Sequence, residues 1–587
     1  MIKKLLKSVR EYKTASIIVP VLMAVEAIME IVIPFLMTFI VGELQRVAES
    51  TDSNVTVNMN TIIICGVLML VCAVGALIAG AAGAKLAAKA SCGFAHNLRE
   101  DMYNNLQTFS FANIDNYSTA SLITRITTDV TNVQNAYQMA IRMLIRAPIL
   151  FIASIIMTCF IEPLMALLFA GAAIVLGIVV SVCVFKVTPY FRTMFKKYDT
   201  LNAVVQEDLT AIRVVKSYVR EDTEIAKMKK ATGDVYTYSV KAERILTIMM
   251  PSVMLVMFIV NIFVLTLGSN MSMGYISGAV DPTEMQTLFQ YSAQILSGVI
   301  MVAMCLNFIA LSRGSAERIV EVLDEKTTLP KSKEQIKEVK DGSIDFDGVE
   351  FCYSQKADVA VLKGIDLHIK SGETIGIIGA TGSGKSSLVS LIPRLYDPSK
   401  GTVKVGGLDV RKYNLDALRN SVAMVLQKNV LFSGTVAENL RWGDGNATDE
   451  QVREVAVQAC ADEFIQQLPG GYNYDLGQGG VNVSGGQKQR LCIARTLLKH
   501  PKIIIFDDST SAVDTKTDAI IRENLRKYAP ETTKIIIAQR IASVEDADRI
   551  IVIDEGRIDG IGTHEELLKN NEIYREVYES QVKGGEE

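Results

Sequence analysis

The chain has 587 residues, of which 49% are hydrophobic and 21% charged, and its formal net charge is −4. That length is too great for one hydrophobic core, and the lack of net positive charge or of a basic block sets nucleic acid aside as a partner. The nine cysteines are scattered with no C-x-x-C pair, which argues against a disulfide framework or a zinc site.

In chain order, residues 1–13 (MIKKLLKSVREYK) are basic and amphipathic with no small-residue cleavage site behind them. They read as an interfacial elbow helix rather than a signal peptide. Apolar stretches long enough to cross about 30 Å of hydrocarbon follow near 15–42, 60–84, 139–161, 163–187, 246–268 and 285–310. These six spans define a membrane domain over 14–311. The second-to-third and fourth-to-fifth connections run to about 55 residues each, are helical in pattern and are rich in Lys and Arg, whereas the other three are short and nearly free of both. The positive-inside rule then puts both termini and both long loops in the cytoplasm. The loops' turning points, 110–118 (SFANIDNYS) and 212–221 (IRVVKSYVRE), are candidates for contact with the C-terminal domain, solvated polar turns being the plain alternative.

Ionisable residues inside a span are functional candidates by default. Glu26 and Glu30 share a face of the first span, and Arg142 and Arg146 share a face of the third. Glu26 and Arg146 lie 17 and 16 residues before the outward-end acids Glu43 and Glu162, so both sit roughly 24–26 Å below that end. Two readings stand, a cation-selective cavity and an internal ion pair, the second being better supported by matched depth. Met249, Met250, Met254, Met257, Met301 and Met304 in the fifth and sixth spans suit either ordinary packing or a cavity for varied apolar molecules. Residues 312–342, charged, helix-forming and interrupted by Pro330, read as the connector to a nucleotide-binding domain over 343–587.

The apolar run 375–378 predicts a buried strand, and it leads directly into Gly379-Ala-Thr-Gly-Ser-Gly-Lys-Ser386 and then a helical pattern. This is a P-loop in its required strand–loop–helix setting. Backbone N–H groups of Gly379, Thr381, Gly382, Ser383 and Gly384 converge on phosphate, Lys385 adds a point charge, Ser386 is placed to ligate Mg2+, and Ser387 completes the ATP-binding set. A second predicted strand, 503–506, ends in Asp507-Asp508, where P-loop enzymes hold magnesium through an acid. Between them stands Val483-Ser484-Gly485-Gly486-Gln487.

With these motifs in hand, the chain resembles the ATP-binding-cassette exporters over essentially its whole length. The resemblance implies a polytopic all-α membrane domain of six helices with long cytoplasmic extensions, fused to an α/β P-loop cassette. It implies ATP and Mg2+ as cofactors, and two cassettes meeting head to tail so that each ATP lies between one P-loop and the other subunit's signature. On that likeness Tyr353 stacks on adenine, and Gln427 touches Mg2+ with Ser386 and Asp507. Val483 to Gln487 form the signature, and Asp514 lies on the loop through which the two sites communicate.

Two positions depart from the family pattern. Asp508 stands where a catalytic glutamate is usual, one methylene too short for a water it must align, and Gln539 stands where a histidine is usual, able to donate a hydrogen bond but not to carry charge. Neither His96, His368, His500 nor His564 is positioned to substitute. The segment 474–480 (YDLGQGG) also departs from consensus, whereas the signature differs only by Val483 in place of leucine. This combination resembles the weak-site half of a heterodimeric bacterial exporter, and the resemblance implies alternating access, amphiphilic drugs, lipids or peptides as substrates and the cytoplasmic membrane as its place. A slow homodimeric exporter, and an ATP-gated channel or regulatory protein using ATP as a latch, are the alternatives.

Overall fold

The computed structural model describes residues 1–49, 57–275, 280–330, 334–353, 360–508 and 514–583. The chain divides into two compact units, Met1–Gln107 with Thr119–Glu325, and Thr108–Ser118 with Lys326–Glu587.

The first unit contains six helices long and apolar enough to span a membrane: Ile2–Ala48, Met59–Gln107, Thr119–Ile161, Pro163–Thr210, Glu221–Ser272 and Pro282–Asp324. Their starts follow local chemistry. Glu162 caps the fourth helix with Pro163 at its first position, and Asp281 with Glu284 forms a capping box ahead of the sixth, again with proline first. Small residues let the first two helices approach closely. A Cβ on Gly83 would stand 2.3 Å from Met23 Cε, and one on Gly75 2.6 Å from Met29 Sδ. Close backbone approach is how helices associate where lipid removes the usual hydrophobic drive. Only 6% of the second helix's most apolar window is buried, with Leu70, Leu77 and Ile78 exposed, so this helix presents its apolar surface outward.

Expected as one helix, the N-terminal stretch is broken: Ile2–Leu5 is α-helical, Leu6–Tyr12 is wound more tightly, and Arg10 has φ of 41°. The break follows its anchoring to the second helix, where Asn97 Nδ2 donates to Ser8 O (3.0 Å), Ser8 Oγ donates to Asp101 (2.6 Å) and Arg10 pairs with Glu100 and Asp101. A π-helical turn, Arg125–Asp129, interrupts the third long helix. It places Arg125 against Glu321 at 2.8 Å and Asp129 against Arg318 Nε at 2.7 Å, so two ion pairs of opposite sense join it to the end of the sixth helix.

In the second unit a four-stranded sheet has the order β2-β1-β4-β5, with β1 Ile344–Phe351, β2 Leu362–Ile369, β4 Lys400–Val405 and β5 Leu408–Asp409. The six-stranded sheet runs β10-β9-β3-β8-β7-β6, with β3 Thr374–Ile378, β6 Val422–Val425, β7 Ile503–Asp507, β8 Thr533–Ile537, β9 Arg549–Asp554 and β10 Arg557–Gly562. Strands β9, β3, β8, β7 and β6 are parallel, and β10 closes one edge antiparallel. Every residue of β3, β7 and β8 is buried, which explains their continuous apolar runs. The carboxyl ends of these three adjacent strands define one edge, the usual ligand position in an open α/β sheet.

Two segments outside the sheets belong to this unit. The connector beyond Glu325 is packed, with Leu329 and Val339 buried and Ile336 bridged to Tyr413. The first loop tip forms a short helix, Phe111–Asp115, capped by Ser110. Tyr396 of the unit donates its hydroxyl to Asp115 (2.6 Å) and sets its ring 6.1 Å from that of Phe111. The second loop tip holds the helix Ile212–Ser217 in the first unit, and Ile212, Val214, Tyr218 and Val219 are exposed there.

Candidate functional site

The loop after β3 turns through Gly382 (φ 86°) and Gly384 (φ 103°), a left-handed geometry that favours glycine. A Cβ on Gly379 would lie 2.2 Å from Ile553 O, so the loop can pass β9 only without a side chain there. Lys385 Nζ donates to the carbonyls of Gly379 (2.8 Å) and Ala380 (2.7 Å). Ser386 Oγ donates to Asp507 Oδ1 at 2.8 Å, joining the end of β7 to the loop after β3.

These groups are tuned by enclosure. Burial holds the Lys385 ammonium below the ordinary lysine range against the opposing pull of Asp508 and Asp507. Burial also pushes the Asp507 carboxyl up, with Asp508 adding to the rise and Ser386 and Lys385 resisting it. A hydroxyl and a buried carboxylate in contact are suitable donors for Mg2+, which prefers oxygen. Ser383 Oγ, buried and with no hydrogen-bond partner among the described residues, adds a donor inside the loop. The residues present therefore fit MgATP.

The two departures from the family pattern meet. Gln539 Nε2 donates to Asp508 Oδ2 at 2.7 Å, and Gln427 Nε2 approaches the same oxygen at 3.4 Å. Asp508 itself has φ of 49°, a left-handed conformation that the short acid adopts more readily than most residues. Its N–H bonds Ile537 O at 3.0 Å, so the turn is stitched to β8, the strand that delivers Gln539. Tyr353 is half exposed, its hydroxyl 2.8 Å from Ser387 Oγ and its ring edge-on to Phe351 and Tyr396.

The signature stands on a separate element. Ser484 caps the helix Gly485–Leu497, and Ser484 and Gln487 form a reciprocal capping box at 2.9 and 3.3 Å. Val483 is buried beneath it, while Ser484 and Gly485 are exposed. The start of a 13-residue helix concentrates free N–H groups and positive dipole, which suits phosphate. Asp514 caps the helix Thr515–Tyr528 through Thr517 N (2.9 Å), a bond that holds its carboxyl below the usual range. The remainder of that loop, 511–513, lies outside the described residues.

In the membrane unit Arg146 Nη2 lies 2.9 Å from Glu30 Oε2 and 3.5 Å from Glu26 Oε1, so one guanidinium serves both carboxylates. Arg142 Nε is buried with no hydrogen-bond partner among the described residues. Of the six methionines, Met257 lines a small apolar cavity with Phe169, Leu176, Val260 and Ile295, while Met250, Met254 and Met304 are exposed.

Two contacts were not legible as site features. Tyr396 packs on both Tyr353 and the Phe111–Asp115 helix, and Gln581, near the end of the C-terminal helix, bonds the backbone on either side of Arg540. Neither belongs to a spaced motif.

Six apolar helices and a P-loop sheet with a capped glycine-rich signature define a membrane-embedded P-loop ATPase. Two family models match, the ABC transporter transmembrane region over residues 16–300 and the ABC transporter domain over 362–511. The Bacillus subtilis protein YfiB, called an uncharacterized ABC transporter ATP-binding protein, is 32% identical over 579 residues, covering 99% of this chain and 98% of its own. YheI of the same organism, called a probable multidrug resistance ABC transporter ATP-binding/permease protein, is 34% identical over 69% of each chain. A solved bacterial Atm1-family ABC exporter with ATP bound superposes with a TM-score of 0.81 at 23% identity, over 97% of this chain and 99% of that one. The chain belongs to the ABC transporters, as a half-transporter with the exporter fold.

Proposed function

We propose that this chain is the weak-site half of a heterodimeric ATP-driven exporter, holding MgATP for long periods at its own P-loop while its signature completes the partner's hydrolysing site. The observation that carries this reading is the 2.7 Å bond from Gln539 Nε2 to Asp508 Oδ2. The acid that would align an attacking water is one methylene short and is engaged by an amide with no charge to offer, and misplacement on the order of 1 Å can cost about 10²-fold in rate.

On this reading Lys385 and the loop 379–384 bind the phosphates, Tyr353 orients the base, and Gln427 and Gln539 report on the γ-phosphate through the shared carboxylate. Ser386 and Asp507, with Gln427, would hold Mg2+, which would neutralise phosphate charge there. Exporters of this family dimerise in the bilayer, and ATP would close the paired cassettes. The loop tip Phe111–Asp115 is packed within the nucleotide-binding unit through Tyr396, so movement there would pass along the chain to the second and third long helices. Amphiphilic drugs, lipids or peptides are the proposed substrates; the multidrug name of the relative YheI supports the first.

The test is the ATPase rate of the purified chain alone, as it stands and as Asp508→Glu with Gln539→His. Negligible turnover alone in both forms is expected, with activity appearing only when a second half-transporter is co-purified. Robust turnover by the unaltered chain alone would sink the weak-site reading in favour of a homodimer.

A further inference from the structure

The C-terminal helix Glu572–Lys583 is anchored firmly. Tyr574 is fully buried and shares a core with Ile541 and Val544, its hydroxyl is 2.8 Å from His564 Nδ1, and Val577 and Tyr578 pack at the margin of the same core. Two turns beyond Tyr574, the helix places Gln581 over the chain segment that leaves β8. Gln581 Nε2 donates to Gln539 O at 2.7 Å, and Gln581 Oε1 accepts from Ile541 N at 2.9 Å. One side-chain amide thus satisfies a carbonyl and an N–H two residues apart, a two-point grip that fixes both the position and the rotation of the intervening peptides.

The side chain of Gln539 is itself the donor to Asp508 Oδ2. A continuous series therefore runs from the buried Tyr574 anchor through Gln581 and the 539–541 backbone to the carboxylate beside the P-loop. The amide reaches an acid on a different strand only if its backbone is held, because a side chain with three rotatable bonds and an exposed position loses entropy when ordered.

We infer that Gln581 is a positioning residue of the ATP half-site: its grip on the 539–541 backbone aims the Gln539 amide at Asp508 and, with nucleotide bound, at the γ-phosphate, making the C-terminal helix part of the device that distinguishes ATP from ADP. The inference rests on the P-loop reading of this site and is indifferent to whether the site hydrolyses.

The experiment uses the full-length chain in its assembled, membrane-reconstituted form. Photolabelling with 8-azido-ATP is read on this chain's own band, and the concentrations of MgATP and of MgADP that halve the label are measured separately. Gln581→Ala is expected to weaken displacement by MgATP about 5-fold, the scale of one or two neutral hydrogen bonds, and to leave MgADP unchanged. Gln539→Ala should do the same, and the double variant should add nothing further, since both substitutions break one series. Gln581→Glu keeps the acceptor for Ile541 N but loses the donor to Gln539 O, so it should fall between, and it carries the test if the alanine variant fails to assemble. Equal weakening of MgATP and MgADP, full additivity with Gln539→Ala, or no change in any variant would each overturn the inference. An unaltered chain that never labels would overturn the ATP-site reading with it, whereas normal labelling with an unmoved ATP-to-ADP ratio removes this inference alone.

Discussion

The P-loop and the signature of this one chain are built on different physical plans. Around the P-loop, side chains are satisfied by the loop backbone or by one another: Lys385 by loop carbonyls, Ser386 by Asp507, Gln539 by Asp508. The signature has only a capping box at an exposed helix start, and its Gly485 presents no side chain at all. A network of this kind tolerates compensated change, because a shortened acid can be matched by an altered partner, whereas an exposed helix start whose donors are backbone N–H groups has no side chain to adjust. The altered residues Asp508 and Gln539 fall in the first region, and the second stays near the family pattern.

The largest effect is therefore expected from the signature. Gly485→Glu puts a carboxylate where the partner's γ-phosphate would dock, and two like charges about 4 Å apart at an effective dielectric near 20 repel by about 4 kcal/mol. ATPase activity of the assembled transporter should fall by roughly 10²- to 10³-fold, with 8-azido-ATP labelling of this chain's own P-loop intact. Retained turnover would mean that the signature of this chain completes no working site.

Lys385→Ala should show the opposite profile. It removes the ammonium enclosed between the loop and the two acids, and charge-assisted bonds of this kind contribute about 1.5–3 kcal/mol each. Retention of MgATP on this chain should drop about 10- to 100-fold, while turnover by the assembly falls by a smaller factor. An equal loss of both would place hydrolysis at this P-loop and erase the distinction between the two regions.

How much of this was legible beforehand follows from how each contact is specified. The P-loop, Asp507 and the signature are local patterns whose chemistry demands fixed spacing, so residues 379–387 and 483–487 could be named without coordinates. The six spans were equally readable, because lipid requires long apolar helices. The depth argument paired Glu26 with Arg146, and the structure brings Arg146 to both Glu26 and Glu30, a sharing that helix rotation decides. Contacts made across the fold could not be read. Gln539 meets Asp508 from 31 residues away and Gln581 meets Gln539 from 42, and no periodicity encodes either. The break at Arg10 has a related origin: the acids it pairs with, Glu100 and Asp101, lie on another helix, beyond the reach of any local pattern.

The smallest expected effect is the most discriminating. Asp508→Asn removes the charge of the one residue that would serve as a base here, yet keeps an oxygen able to accept from Gln539 in the same left-handed turn, a conformation asparagine also tolerates. If Asp508 were aligning water, its neutralisation should cost about 10²- to 10⁴-fold in turnover, the ordinary contribution of a general base. In a site whose acid serves chiefly as the anchor for Gln539, the assembly's ATPase should change by less than about 3-fold, within the scale of a single altered hydrogen bond. The measurement is steady-state ATPase of the reconstituted assembly carrying Asp508→Asn on this chain alone, compared with the matching substitution on the partner. A large loss from the partner and a small one from this chain locates hydrolysis at the site that this chain's signature completes. Comparable large losses from both would make the two P-loops equivalent and leave Asp508 a short but working base.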